Sequence, residues 1–325
     1  MPSNQPERLL LIDGHAVLYR AYHAFPELTD PQGQLVNAVY GFARIVLKAI
    51  HDFHPTYIAV AFDTKGPTFR TEIFPEYKAN RPPTPDDFIP QVGIARELIE
   101  VLSVPQFAES AYEADDVIGT ITATVEQTYL PSQLTSLIIT GDKDLLQLVT
   151  DQTHVWLPGS KFAKDTEYEP ASVTKKMGVP PEKIVALKGL MGDPSDNIPG
   201  IKGVGKKTAT ALLQRYASIE ELYAVLAPVE LSPEIAKTAP FISTHPLLKG
   251  SLLDKLLSGK NQAFLSQELA RIKRDVALDF SLNECRTSGF DKSKVSDWLE
   301  QYGFLSLKKV LPQDDFELAV QDALF

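Results

Sequence analysis

Cysteine is nearly missing from this chain of 325 residues: Cys285 stands alone. A single thiol permits no disulfide framework and no cysteine-built zinc site. Long apolar runs are missing too, since none approaches the 18 or so residues that a membrane-crossing helix needs. The N-terminus, MPSNQPERLLLID, has no basic stretch followed by an apolar segment and a small-residue cleavage site, so it does not read as a signal peptide. These absences lead us to expect a cytoplasmic protein with no membrane partner. Positive charge is also short, with a net charge of −10. An excess of base is the usual footprint of a nucleic-acid binder, but the position of the charges matters more than their sum. Part of the acidity lies in a tail carrying Asp314, Asp315, Glu317 and Asp322.

What is present is an ordinary globular composition, 44% hydrophobic and 23% charged, long enough for a large core and two lobes. Leu9 to Asp13, Tyr57 to Asp63 and Ser136 to Asp142 read as buried strands, and each ends in an aspartate. Amphipathic stretches such as Val36 to His54 and Phe88 to Leu102 lie between them. Alternation of this kind predicts an α/β fold with a mainly parallel central sheet flanked by helices. After Pro170 the strand signal fades and helical patterns dominate. We therefore expect an α/β domain over 1–170 and a helical lobe over 171–325. An excursion at about 64–90, rich in proline, base and aromatics, interrupts the alternation and reads as exposed.

Ligands of parallel sheets gather at the carboxyl ends of the strands, where Asp13, Asp63 and Asp142 stand. Asp144 shares a face with Asp142 if that strand continues. Any one such aspartate is ordinarily a helix cap or a turn residue; three strands ending alike ask for more. Glu113, Asp115 and Asp116 open a second acidic group, and Asp193 and Asp196 a third. Helix-terminus chemistry explains one or two of these through the macrodipole. It explains less well two adjacent acids running straight into Val117 and Ile118. On a helix Glu113 and Asp116 share a face, and Asp115 joins the others only if Glu113 precedes the first turn. Nine converging carboxylates would repel one another unless cations held them. Oxygen donors without cysteine or histidine beside them select Mg²⁺ or Mn²⁺. A pair of such ions can drive an in-line phosphoryl displacement, so the implied chemistry is phosphodiester hydrolysis.

These residues carry a family resemblance. LLLIDGH…YRAY (Leu9 to Tyr22), VAFD (Val60 to Asp63), FR…YKANRPPTP (Phe69 to Pro85), YEADDVIGT (Tyr112 to Thr120), TGDKDLLQLV (Thr140 to Val149) and GDPSDNIPGIKGVGKKTA (Gly192 to Ala209) resemble the 5′ nuclease domain of bacterial DNA polymerases of type I. That domain belongs to the flap endonuclease family, and the resemblance covers roughly residues 8 to 300. It implies a PIN-like nuclease with two metal sites, one using Asp13, Asp63, Glu113, Asp115 and Asp116, the other Asp142, Asp144, Asp193 and Asp196. Arg20, Lys78 and Arg81 match basic positions that the family uses on the scissile phosphate and 5′ strand. The excursion would be a helical arch admitting a single-stranded 5′ end. Arg70 and Tyr77 belong to its basic and aromatic mixture, which suits phosphates and stacked bases; a solvated loop with anchoring aromatics is the plainer reading.

Gly200 to Lys206 fits G-x-x-x-x-G-K, the front of an ATP phosphate loop, but Lys207 stands where Ser or Thr is required and no strand precedes it. A helix–hairpin–helix at about 190–216 fits better. Gly200, Gly203 and Gly205 let backbone N–H groups approach a phosphate, and Lys202, Lys206 and Lys207 add sequence-independent attraction; a plain turn between packed helices has the same pattern. In the family this element grips duplex DNA through a monovalent cation, which would be K⁺. His15 reads as structural, and Trp156 and Trp298 as packing residues. The expected substrates are DNA with a 5′ flap, nick or 5′ end and RNA–DNA primer junctions. The expected setting is replication and repair, in a stand-alone nuclease or in the front part of a longer polymerase chain. A nuclease acting mainly on RNA, or a non-catalytic DNA binder with inert acids, are the alternatives.

Overall fold

The computed structural model describes residues 6–159, 164–231, 248, 250–287 and 290–311; the acidic tail lies outside them. The strands are β1 (Glu7–Asp13), β2 (Tyr57–Ala61), β3 (Gln106–Phe107), β4 (Leu134–Ile139), β5 (Thr153–Leu157) and β6 (Thr166–Tyr168). They form one sheet in the order β3-β2-β1-β4-β5-β6, parallel except for β6 against β5. The apolar strands have no polar face because helices cover both sides, as parallel crossovers require.

Successive side chains of β1 divide between two cores. Leu10 and Ile12 face α1 (Gly14–Ala24), α2 (Asn37–Phe53) and α4 (Ile89–Val101). Leu9 and Leu11 face α5 (Ala114–Thr128) and a continuous apolar cluster running into α7 (Ile184–Met191), α8 (Lys206–Leu213) and α9 (Ile219–Leu231). α6 (Pro170–Met177) contributes Val173 to the same cluster, α10 (Ser251–Ser258) contributes Leu253 and Leu256, and α11 (Lys260–Ala270) contributes Ala263. The sheet domain and the helices after Pro170 therefore share a core.

Two departures from the expected organisation have clear causes. The chain after Phe290 returns to the opposite face of the sheet: α12 (Lys292–Gln301) buries Val295, Trp298 and Leu299, with Phe304, against the α2 and α4 side. Apolar spacing does not say which face will take a helix. The excursion carries only the short α3 (Phe69–Ile73) and is mostly exposed, but Arg70 and Tyr77 are buried. Trp156 and Trp298 are buried packing residues, as read.

Candidate metal centre and phosphate-binding surface

Asp13 closes β1 and is also the cap of α1, so the plain and the functional readings coincide in one residue. Its Oδ1 accepts from the Ala16 N–H at 3.0 Å and its Oδ2 from the Thr140 hydroxyl at 2.7 Å. Burial, then the neighbouring Asp63, push its pKa up to about 7. Asp63 follows β2 and accepts the Ala114 N–H at 2.7 Å, tying that strand end to the first turn of α5. His15 is structural: its Nδ1 accepts the Asp63 N–H at 3.1 Å, and its ring meets Phe62 edge-on. Glu113 caps α5 and so precedes its first turn. That places Asp115 among the other acids: burial, then Asp13, Asp142 and Glu113, hold its pKa well above the usual range. β4 stops at Ile139, so Asp142 and Asp144 do not continue a strand. The Asp144 N–H donates to Asp142 at 2.9 Å, and Asp144 opens a short 3-10 helix (Asp144–Leu148). Burial, then Asp142, push its pKa up to about 6.

The other acids are tied to cations. Asp116, wholly buried, accepts two bonds from the Arg70 guanidinium at 2.7 and 2.8 Å and the Lys273 N–H at 2.8 Å. It also receives the Glu113 N–H at 3.1 Å. With four donors around it, Asp116 ties the first turn of α5 to Arg70 and Lys273. Arg70 is likewise an internal partner of Asp116, not an exposed DNA contact. Tyr77 is buried with its hydroxyl at 3.2 Å from Glu113 and 3.3 Å from Asp196, so it offers no free face for stacking. Both corrections have one cause: the excursion folds down over the acids. Lys78 donates to Glu113 at 2.9 Å and lies 3.9 Å from Asp196; Arg81, half-exposed, donates to Asp196 at 2.5 Å.

One cation escaped the sequence reading. Lys188, buried in α7, bridges Asp144 and Asp193, the latter at 2.6 Å. Burial acts to lower its pKa, but the two acids outweigh that and raise it. The available signal was a lysine within the apolar run IVALKGLM, five residues before Asp193. Arg20 lies apart from the acids, its guanidinium bonded to the carbonyls of Pro158 and Gly159.

Among the described residues no three acids already stand in a metal-holding arrangement. The structure sets Asp13 and Asp115, whose ionisation is opposed by burial and by nearby carboxylates including Asp142, apart from the acids paired with lysine or arginine. Oxygen donors that include two buried carboxylates resisting ionisation, Asp13 and Asp115, fit a hard divalent cation, whose charge would relieve that opposition.

Lys202, Lys206 and Lys207 are exposed around the turn leading into α8. The Gly200 N–H donates to Ser266 of α11 at 2.9 Å, which pins the turn. Gly205 is the cap residue of α8, without a side-chain cap, and the Lys206 ammonium lies 3.4 Å from the Lys176 carbonyl.

Comparison with known proteins supplies a family for this arrangement. The model of the 5′–3′ exonuclease N-terminal resolvase-like domain matches residues 8–178, and that of the 5′–3′ exonuclease C-terminal SAM fold matches residues 179–293. DNA polymerase I of Caldicellulosiruptor bescii is 39% identical over 306 residues, covering 94% of this chain and 33% of the relative. DNA polymerase I of Bacillus subtilis is 38% identical over 316 residues, covering 97% and 33%. The chain thus spans about one third of the length of these curated relatives. A solved T5 5′-exonuclease with bound zinc shares the fold at 19% identity and a TM-score of 0.64, covering 94% of this chain and 100% of that one. The catalytic core of Rad2 in complex with DNA does so at 16% and 0.55, covering 94% and 92%.

Proposed function

Because the chain belongs to the 5′–3′ exonuclease family, we propose that its acidic crevice hydrolyses DNA phosphodiesters at 5′ flaps, nicks and 5′ ends. RNA–DNA primer junctions are further substrates, and Mg²⁺ or Mn²⁺ is the cofactor. The observation that carries this reading is that two buried acids from different segments, Asp13 and Asp115, resist ionisation because of burial and then of the carboxylates near them, Asp63 and Asp142 for Asp13, and Asp13 and Asp142 for Asp115. A purely structural crevice would gain nothing from such mutual opposition.

Asp13, Asp63, Asp115 and Asp142 would hold the ions, joined by Asp144 and Asp193 on release from Lys188. Bound divalent ions supply charge neutralisation and Lewis acidity for phosphoryl displacement. The rest falls to the chain's own side chains. Thr140 and the Ala16 N–H fix the orientation of the Asp13 carboxylate. Arg81 and Lys78, both reachable from solvent, can exchange Asp196 and Glu113 for a phosphate of the 5′ strand. Lys202, Lys206, Lys207 and the glycine turn would grip the duplex as a helix–hairpin–helix, with K⁺ at its carbonyls. Phosphate contacts of this kind read strand structure, not base sequence. We further propose that this nuclease works in the cytoplasm as part of a longer chain bearing a polymerase domain.

The test is cleavage of a labelled 5′ flap by protein dialysed against EDTA. Cleavage should be absent in chelator and return with Mg²⁺ or Mn²⁺. Full cleavage in EDTA would overturn the metal reading. The same assay on nicked, gapped and RNA-primed duplexes ranks the substrates.

A further inference from the structure

The glycine turn before α8 docks onto the corner where α10 ends and α11 begins, and the fit is reciprocal. A Cβ on Gly259, between the two helices, would come within 2.6 Å of Ile201 Cγ2. A Cβ on Gly203, which has φ of +80°, would come within 3.0 Å of Lys255 Nζ. The missing side chains let an isoleucine methyl seat under the helix corner and let the butyl chain of Lys255 cross the turn.

This interlock encloses a groove of about 310 Å³, with Lys202 and the Gly200 turn on one wall and Lys255, Ser258 and Gln262 on the other. Among the described residues neither Lys202 nor Lys255 has a carboxylate partner. Asp254, next to Lys255 on α10, points elsewhere because adjacent helical residues do not share a face. Two unneutralised ammonium groups and the Gln262 amide facing one groove suit an anion with several oxygens; the Ser258 hydroxyl is spent on the Asp254 carbonyl at 2.8 Å. The lining has no aromatic ring, so it offers nothing on which a base could stack.

We propose that Lys255, with Gln262, forms a second phosphate contact beside the glycine turn, so that the α10–α11 corner and the turn jointly hold the backbone of duplex DNA. The inference rests on the duplex-gripping reading of the turn given above.

Lys255→Met keeps the apolar stem over Gly203 and removes only the charge; Lys255→Arg restores it. Binding of a fluorescent blunt duplex, followed by anisotropy in Ca²⁺ from about 50 to 300 mM salt, reads both. Loss of one phosphate contact should lower the slope of log K against log salt by about 0.9 and weaken binding about five- to ten-fold at 0.1 M salt. Lys255→Arg should recover both. An unchanged Lys255→Met, while the Lys202, Lys206 and Lys207 triple alanine variant binds weakly, overturns the inference and leaves the turn's role standing. If neither variant changes affinity or slope, the reading beneath it falls as well.

Discussion

Arg70 shows how much a single side chain can hold here. Besides its two bonds to Asp116, it donates through Nε to the Leu269 carbonyl at 2.9 Å and through a terminal nitrogen to that of Arg271 at 2.9 Å. It thereby joins the excursion, α5 and the end of α11. Replacing it leaves Asp116 buried and charged without its main partner, and breaking a buried pair on one side costs about 3–5 kcal/mol. Arg70→Met should lower the unfolding free energy by about that amount in denaturant melts; a change under about 1 kcal/mol would mean that the Arg70–Asp116 pair does not hold the excursion to α5. Such a role was not legible from residue type. Base among aromatics describes a phosphate-binding loop and a buried ion pair equally well, since burial depends on where the loop lands. The position of Asp13 was legible because a strand end in a parallel sheet fixes where its last residue goes. Lys188 was not, because one lysine in an apolar helix is ordinarily a snorkelling surface residue.

At the level of elements, runs of contiguous apolar residues bounded by aspartate correctly marked three strands, and helical spacing placed α2 and α4 within one residue at each end. β3 and β6, two and three residues long, carry too little pattern to be seen. The turn after Ile139 shows where local reading fails. Thr140 accepts the Asp142 N–H at 2.9 Å and donates to Asp13, which ends the strand and swings Asp142 toward the crevice. Residues 292–301 formed a helix as their spacing suggests, but only the packing of Trp298 beside Tyr302 and Phe304 shows that it belongs to the first domain's outer face. The same logic explains the excursion. Its prolines prevent a long helix, and its bases find acids already in place beneath them.

For the molecule as a whole, the charge of −10 is compatible with nucleic-acid binding because acid and base are segregated. Acids cluster at the strand ends and are partly neutralised from within, while lysines ring the α8 turn. That arrangement couples stability to pH. Asp13 ionises near 4 in an unfolded chain and near 7 in the folded one. Between these values the folded state holds the extra proton, so its stability falls as pH rises. Asp115 and Asp144 shift in the same direction. Asp193 opposes them: burial acts to raise its pKa, but Lys188 outweighs that and lowers it. In EDTA the thermal midpoint should fall between about pH 4 and pH 7, and saturating Ca²⁺ should flatten the curve. A midpoint insensitive to pH without metal would contradict the electrostatic account of the crevice.

The central claim is that Asp115 serves chemistry and not the fold, and Asp115→Asn tests it most directly. The substitution keeps the shape and removes a charge that its neighbours oppose. The protein should remain folded and bind a 5′ flap in Ca²⁺ at least as tightly as the parent, because a negative charge facing a polyanion is gone. Single-turnover cleavage of the same flap in Mg²⁺ should fall by at least about a hundredfold, as expected when a group stabilising the transition state through the metal is lost. Near-parent cleavage by the folded variant would place the active site elsewhere.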